Sequence, residues 1–169
     1  MSKDSLSENE ISVFFERLGA YLRTQEFLLE SQDIQETEIT ATTVGPALKQ
    51  FVSGLLIPQM MVRYDGDLAS KPLLRNGMSF FPDAQVSLNL QKVLGVEVKI
   101  IRDQDPSGSL SKAIGQAIIY RELGFECSIG LIFDFRKNRY DSLVDTLNSI
   151  GNKQSRVNFF LFSSNPNWR

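Results

Sequence analysis

The stretch from Cys127 to Phe135 constrains the fold of this chain more than any other. It reads CSIGLIFDF, so that only Ser128 and Asp134 are polar. A short apolar run of this kind is typical of a strand covered on both faces, as strands in parallel sheets are. The chain therefore needs helices on both sides of a sheet, and its 169 residues suffice for one domain with a sizeable core.

Helical and strand patterns alternate along the rest of the chain. Apolar residues recur at three- and four-residue steps in the helical segments and at every second position in most of the strands. The predicted elements are helices over 8–31, 43–57, 109–123 and 139–150, and strands over 60–64, 83–90, 93–101, 127–135 and 157–162. The polar residues 32–42 are predicted to connect the first two helices.

The resulting order, α-α-β-β-β-α-β-α-β, predicts an α/β fold with a mixed sheet and helices on both faces. We expect a single domain in which residues 1–42 form a helical extension, 43–162 the core and 163–169 a tail. There is no run of 18 apolar residues, and the first ten residues lack the apolar stretch of a signal peptide. These features predict a cytoplasmic protein that does not span a membrane.

Composition excludes several kinds of chemistry. The chain has no histidine, which excludes a Ser-His-Asp triad, a Cys-His pair and a His-ligated zinc site. A metal ion would have to be held by oxygen ligands, which favours magnesium, manganese or calcium. The single cysteine, Cys127, lies in the apolar stretch and is predicted to be a buried structural thiol.

Charged residues interrupt the predicted strand over 93–101 in a particular way. Glu97 and Lys99 are two residues apart, so both side chains point to one face of the strand. Asp83 opens the preceding strand, and an antiparallel pairing of 83–90 with 93–101 brings Asp83 towards Glu97. A charged pair on a buried strand is costly unless the charges are paired or bind a metal. Taken alone, however, Glu97-Val98-Lys99 is more often a cross-strand ion pair on an exposed strand face.

Three oxygen donors would then be available for a divalent cation: the carboxylates of Asp83 and Glu97 and the carbonyl of Val98. Lys99 could hold a water or stabilise negative charge, and desolvation could lower its pKa enough for work as a base. Gln116 and Tyr120 lie one turn apart on the next helix and share a face. Without the upstream residues, this pair is more often the polar edge of a packed helix.

The ordered set Pro82-Asp83, Glu97-Val98-Lys99 and Gln116 to Tyr120 resembles the PD-(D/E)xK nuclease superfamily, which has the restriction-endonuclease-like fold. The Gln-x-x-x-Tyr element is similar to that of RecB-type nuclease domains, and the resemblance covers roughly residues 43–135. It implies an αβββαβ core with Mg²⁺ or Mn²⁺ on Asp83 and Glu97 and catalytic support from Lys99.

Many members of this superfamily carry a glutamate near the metal on the helix before the first strand. The helix predicted over 43–57 contains no acidic residue. The acids that could serve instead, if the first helix or the connection packs over the site, are Glu26, Glu30 and Glu38.

The resemblance implies a metal-dependent nuclease acting on nucleic acid, with DNA as the expected substrate. The alternative is a module of the same fold that cleaves weakly or not at all and binds nucleic acid or a partner protein. Residues 41–169 carry 15 basic and 11 acidic residues, a small excess that permits weak polyanion binding. Because no specificity element is evident, a homodimer or a partner protein could supply the choice of site.

Overall fold

The computed structural model describes residues 4–27, 29, 31, 33–64, 67, 73–75, 77–136 and 142–163, leaving aside the side chains of 73–75, 142 and 163. Its helical elements are α1 (Glu8–Arg23), α2 (Glu36–Ile39), a π-helical segment (Thr40–Val44), α3 (Gly45–Gly54), α4 (Pro106–Glu122) and α5 (Ser142–Lys153). Its strands are β1 (Met60–Tyr64), β2 (Leu73–Arg75), β3 (Met78–Phe80), β4 (Ala84–Leu88), β5 (Gln91–Ile101), β6 (Cys127–Asp134) and β7 (Val157–Ser163).

The main sheet has five strands in the order β1-β4-β5-β6-β7. The pairs β1–β4 and β4–β5 are antiparallel, whereas β5–β6 and β6–β7 are parallel, with α4 and α5 as the connections. All eight residues of β6 are buried, as the apolar stretch predicted. The mixed α/β fold and the antiparallel pairing of the two strands that carry Asp83 and Glu97 are thereby confirmed. The separate two-stranded hairpin β2–β3 was not predicted.

Helices cover both faces of the sheet. Apolar residues of α1 and α3 share one core cluster with the sheet, including Leu18, Leu48 and Val98. Residues of α4 and α5 form a second cluster on the opposite face, including Ala117, Leu147 and Ile132. Within the described part of the chain, no helix is both long and apolar enough to cross a membrane.

The first predicted helix is too long at its C-terminal end. It begins where expected, with the Glu10 carboxylate accepting hydrogen bonds from the backbone N–H and the hydroxyl of Ser7. However, α1 ends at Arg23, and the described residues between 24 and 35 are not helical. Leu29, which the helical pattern included, is still buried in the core, so its apolar position reflects packing rather than helix.

The second predicted helix begins seven residues too late. The chain is helical from Glu36, and a π turn over Thr40–Val44 joins α2 to α3. The buried residues Ile39 and Val44 are five apart, because a π turn adds one residue to the repeat. This five-residue step and the threonine-rich sequence hide the helix from a search at three- and four-residue spacing. The hydroxyl of Thr40 donates to the carbonyl of Glu36 at 2.9 Å, which accommodates the side chain within the helix.

The last two helices also differ at their ends from the prediction. Helix α4 begins at Pro106, three residues before the predicted start, because the Asp105 side chain accepts a hydrogen bond from Gly108 N and caps the first turn. Helix α5 continues through Gly151, where it was expected to stop, to Lys153. The predicted start of α5 at Arg139 lies outside the described residues.

The sheet is stepped where β4 begins. Strand β4 pairs with β5 only as far as Ala84 opposite Val96, whereas β5 continues to Ile101 in register with Asp134 of β6. The last residues of β5 therefore pair with β6 on one side and extend beyond β4 on the other. Backbone groups on that side need other partners, since a buried unpaired N–H is costly.

Candidate active site

Two carboxylates complete the hydrogen bonding of β5 at this step in the sheet. The backbone N–H of Val98 donates to Oδ2 of Asp83 at 2.7 Å. The backbone N–H of Ile100 donates to Oε1 of Glu36 at 3.1 Å. The strand thus holds one acid from the start of β4 and one from the start of α2 against the same stretch of backbone.

Lys99 joins Glu36 to Glu97. Its Nζ lies 2.8 Å from Oε1 of Glu97, 2.9 Å from Oε2 of Glu36 and 3.3 Å from the carbonyl oxygen of Val98. Glu97 is fully buried, and the side chain of Lys99 is 15% exposed. The predicted placement of Glu97 and Lys99 on one side of the strand, with Val98 buried in the core on the other, is consistent with these contacts.

Helix α4 supplies the remaining partner of Glu97. The hydroxyl of the buried Tyr120 lies 2.6 Å from Oε2 of Glu97 and 3.2 Å from the carbonyl oxygen of Phe81. The side-chain amide of Gln116, one turn earlier, interacts with the same hydroxyl. All five side chains predicted for the site, together with the Val98 backbone, therefore belong to one connected network.

Burial and mutual repulsion raise the pKa values of Asp83 and Glu97. Burial, together with the negative charge of Glu97, raises the pKa of Asp83 to about 7. The hydrogen bond from the Val98 N–H acts in the opposite direction. Burial also raises the pKa of Glu97, although the hydrogen bonds from Lys99 and Tyr120 oppose it. A nearby cation would lower these raised pKa values, because a positive charge favours the ionised form of a carboxyl group.

Lys99 is held in its charged form. Burial acts to lower the pKa of Lys99, but the hydrogen bonds and charges of Glu36 and Glu97 outweigh it and raise the pKa above its ordinary value. The expectation that desolvation could prepare this lysine for work as a base is wrong for the arrangement seen here. A permanently charged ammonium is suited instead to stabilising negative charge.

Glu36 is the member of the site that the sequence interpretation missed. It precedes the predicted helix, and it was not among the acids considered, Glu26, Glu30 and Glu38. Glu30 lies outside the described residues, and Glu38 is exposed on the same helix two residues further on. Acidic residues favour the first turn of a helix, so extending the helix back through its π turn could have revealed Glu36.

The donor set suits a hard divalent cation with an incomplete protein shell. The described residues contain no group of three or more His, Cys, Asp or Glu side chains arranged to hold a metal ion. Two carboxylates, from Asp83 and Glu97, and the Val98 carbonyl form a smaller all-oxygen set. Mg²⁺ accepts such a set, since it usually keeps several water ligands and binds through one or two carboxylates.

No family profile, curated protein or solved structure matches this chain.

Proposed function

We propose that this protein is a nuclease that hydrolyses phosphodiester bonds with the help of Mg²⁺ or Mn²⁺. The observation that carries the proposal is that Asp83, Glu97 and Lys99 lie in one network at the start of β4. These residues are separated by 14 and 2 positions in sequence. Nevertheless they share one network with the only part of β5 that extends beyond β4.

We also propose that the chain has the restriction-endonuclease-like fold. When the separate hairpin β2–β3 is left aside, the elements from α2 to β6 follow the order αβββαβ of the restriction-endonuclease-like core. The sheet order β1-β4-β5-β6 is compatible with such a core. The resemblance of the three motifs to PD-(D/E)xK enzymes favours DNA as the substrate.

Each residue has a distinct task in this proposal. Asp83, Glu97 and the Val98 carbonyl would hold the cation, which when bound neutralises phosphate charge and lowers the pKa of a water ligand. The Tyr120 hydroxyl donates a hydrogen bond to Oε2 of Glu97. This bond orients the carboxylate so that Oε2 faces α4 and Oε1 faces Lys99. The ammonium of Lys99 stabilises the negative charge that builds on the phosphate oxygens during attack.

A second candidate is a module of the same fold that binds nucleic acid or a partner protein without cleaving. The contact pattern of Lys99 favours it, because the ammonium already lies within 3.3 Å of oxygens from Glu97, Glu36 and Val98. The ammonium of a lysine compensates buried carboxylates in place of a metal ion. A site of this kind is therefore stable without a metal ion.

A cleavage assay separates the two candidates. Plasmid and single-stranded DNA are incubated with the protein in Mg²⁺, in Mn²⁺ and in excess EDTA. The nuclease proposal expects metal-dependent cleavage that falls about a hundredfold or more in Asp83→Asn and in Lys99→Ala. The matched controls are Asp103→Asn, an exposed acid just beyond β5, and Lys92→Ala, an exposed lysine on the same strand. No cleavage by the parent, or equal cleavage by all variants, would refute the proposal.

A further inference from the structure

A large aromatic side chain is exposed beside the network although the chain around it is held in place. Phe81 is 59% exposed. Its neighbour Phe80 is half-buried and packs into a small cluster with Tyr120. On the other side Pro82 is buried, and Asp83 accepts the hydrogen bond from Val98.

The backbone of Phe81 is also attached to the site. Its carbonyl oxygen lies 3.2 Å from the hydroxyl of Tyr120, whose nearer partner is the buried carboxylate of Glu97. The ring therefore projects from a residue that touches the network, two positions before Asp83. Single exposed apolar residues are common on protein surfaces. What distinguishes Phe81 is that its carbonyl oxygen contacts the tyrosine hydroxyl that also contacts the buried Glu97.

A second exposed apolar side chain precedes it in the same segment. Met78, the first residue of β3, is 57% exposed, and its register partner in β2 is Arg75. Phe80 is partly buried against Tyr120, whereas Phe81, the next residue, is exposed. The segment 78–81 thus combines one anchoring ring with two exposed apolar side chains.

Nucleobases present flat apolar faces that stack on aromatic side chains whatever the sequence. A base within a duplex is already stacked on its neighbours, so only an unpaired or extruded base can offer a face to a protein ring. We infer that Phe81 is a stacking surface for an unpaired base adjacent to the phosphate bound at the site. The substrate class is accordingly single-stranded or locally unpaired nucleic acid. This inference rests on the proposed function, since it takes nucleic acid as the ligand.

Binding of labelled oligonucleotides tests the inference without requiring cleavage. Fluorescence anisotropy compares a 12-residue DNA strand, the same strand with abasic sugars throughout and the fully paired duplex, all in Ca²⁺. The abasic strand keeps every phosphate and removes every base. The proteins are the parent, Phe81→Ala, Phe81→Tyr and, as a control, Leu90→Ala. Leu90 is 99% exposed in the turn at the far end of the β4–β5 pair.

Phe81→Ala is expected to weaken binding of the normal strand about 5- to 150-fold, the range for loss of one stacked base. The abasic strand should bind parent and Phe81→Ala equally, and Phe81→Tyr and Leu90→Ala should match the parent. The dependence on salt should be unchanged, because no charge is removed.

Several outcomes would overturn the inference. Equal binding of the normal strand by parent and Phe81→Ala is one, and equal weakening of normal and abasic strands is another. A change of oligomeric state in Phe81→Ala with unchanged DNA binding would assign the ring to a protein contact instead. If the parent cleaves DNA while Phe81→Ala binds normally, the inference fails and the nuclease proposal stands. If the parent binds through Phe81 but never cleaves, the nuclease proposal fails and the inference stands.

Discussion

The hydroxyl of Tyr120 lies 2.6 Å from Oε2 of Glu97, and both residues are fully buried. The other carboxylate oxygen of Glu97 lies 2.8 Å from Nζ of Lys99. A buried carboxylate is tolerated only where donors surround it. This pair thus links helix α4 to the centre of the sheet and orients the acid on which the proposed chemistry depends.

Replacing Tyr120 with phenylalanine removes one donor from Glu97. Because a hydrogen bond to a buried charged group stabilises by about 1.5–3 kcal/mol, we expect a loss of that size in the free energy of unfolding. Urea denaturation measures it. Tyr21→Phe is the control, since the Tyr21 hydroxyl bonds only neutral oxygens of Ala47 and Gln50 and should cost less. Equal losses in the two variants would contradict the role assigned to Tyr120.

Asp83 should make the protein less stable as the pH rises from about 4 to about 7. Its pKa is raised from 3.8 to about 7 on folding, so in this range the unfolded chain releases a proton that the folded chain keeps. The associated stability is complete below pH 4 and lost above pH 7, and it amounts to about 2–4 kcal/mol. Asp83→Asn should therefore match the parent at pH 4 and exceed its stability at pH 8. The difference in unfolding free energy between the two proteins, measured across this range, checks the sign.

Divalent cations should stabilise the parent at pH 8, where Asp83 is ionised. A ligand that binds only the folded state at a hundredfold excess over its dissociation constant adds about 2.7 kcal/mol. We expect Mg²⁺ or Mn²⁺ to raise the melting temperature, EDTA to reverse the shift and K⁺ at equal ionic strength to have little effect. An equal Mg²⁺ shift in Asp83→Asn would place the cation elsewhere.

Glu36 should contribute to stability and to the proposed cleavage, although it is partly exposed. Glu36→Ala removes the partner of Lys99 Nζ and of the Ile100 N–H. We expect a loss of about 1–2 kcal/mol, with the ion-pair part reduced by solvent, and a fall in cleavage. Glu38→Ala, an exposed acid on the same helix, should change neither. If both variants behave alike, Glu36 serves only as a charge at the helix start.

The contact between β5 and α4 should be sensitive to one methyl group. A Cβ at Gly95 would lie 3.0 Å from Cβ of Tyr120 and 3.2 Å from the ring of Phe125. Gly95→Ala should displace α4, lower the stability by about 1–3 kcal/mol and weaken cleavage. Gly115→Ala, in open space on α4, should instead stabilise by about 0.5–1 kcal/mol. Thermal unfolding of both variants tests the contrast.

The sequence identifies the strands of the site because their side chains alternate. Val96, Val98 and Ile100 mark one face of β5, so Glu97 and Lys99 had to share the other, and the apolar run of β6 required helices on both sides. The same reasoning located the helix with Gln116 and Tyr120. Periodicity of this kind is local, and it survives in the folded protein wherever an element packs regularly.

Tertiary structure alone decided what surrounds these residues. The step between β4 and β5 depends on strand register, which brings Asp83 and Glu36 to the unpaired N–H groups of Val98 and Ile100. The five-residue spacing of the π turn concealed the helix that carries Glu36. Lys99 keeps its charge because its two carboxylate partners raise its pKa against the effect of burial. Sequence therefore determined most of the residues that meet in this network, and packing determined their contacts and the direction of their pKa shifts, because both depend on neighbours distant along the chain.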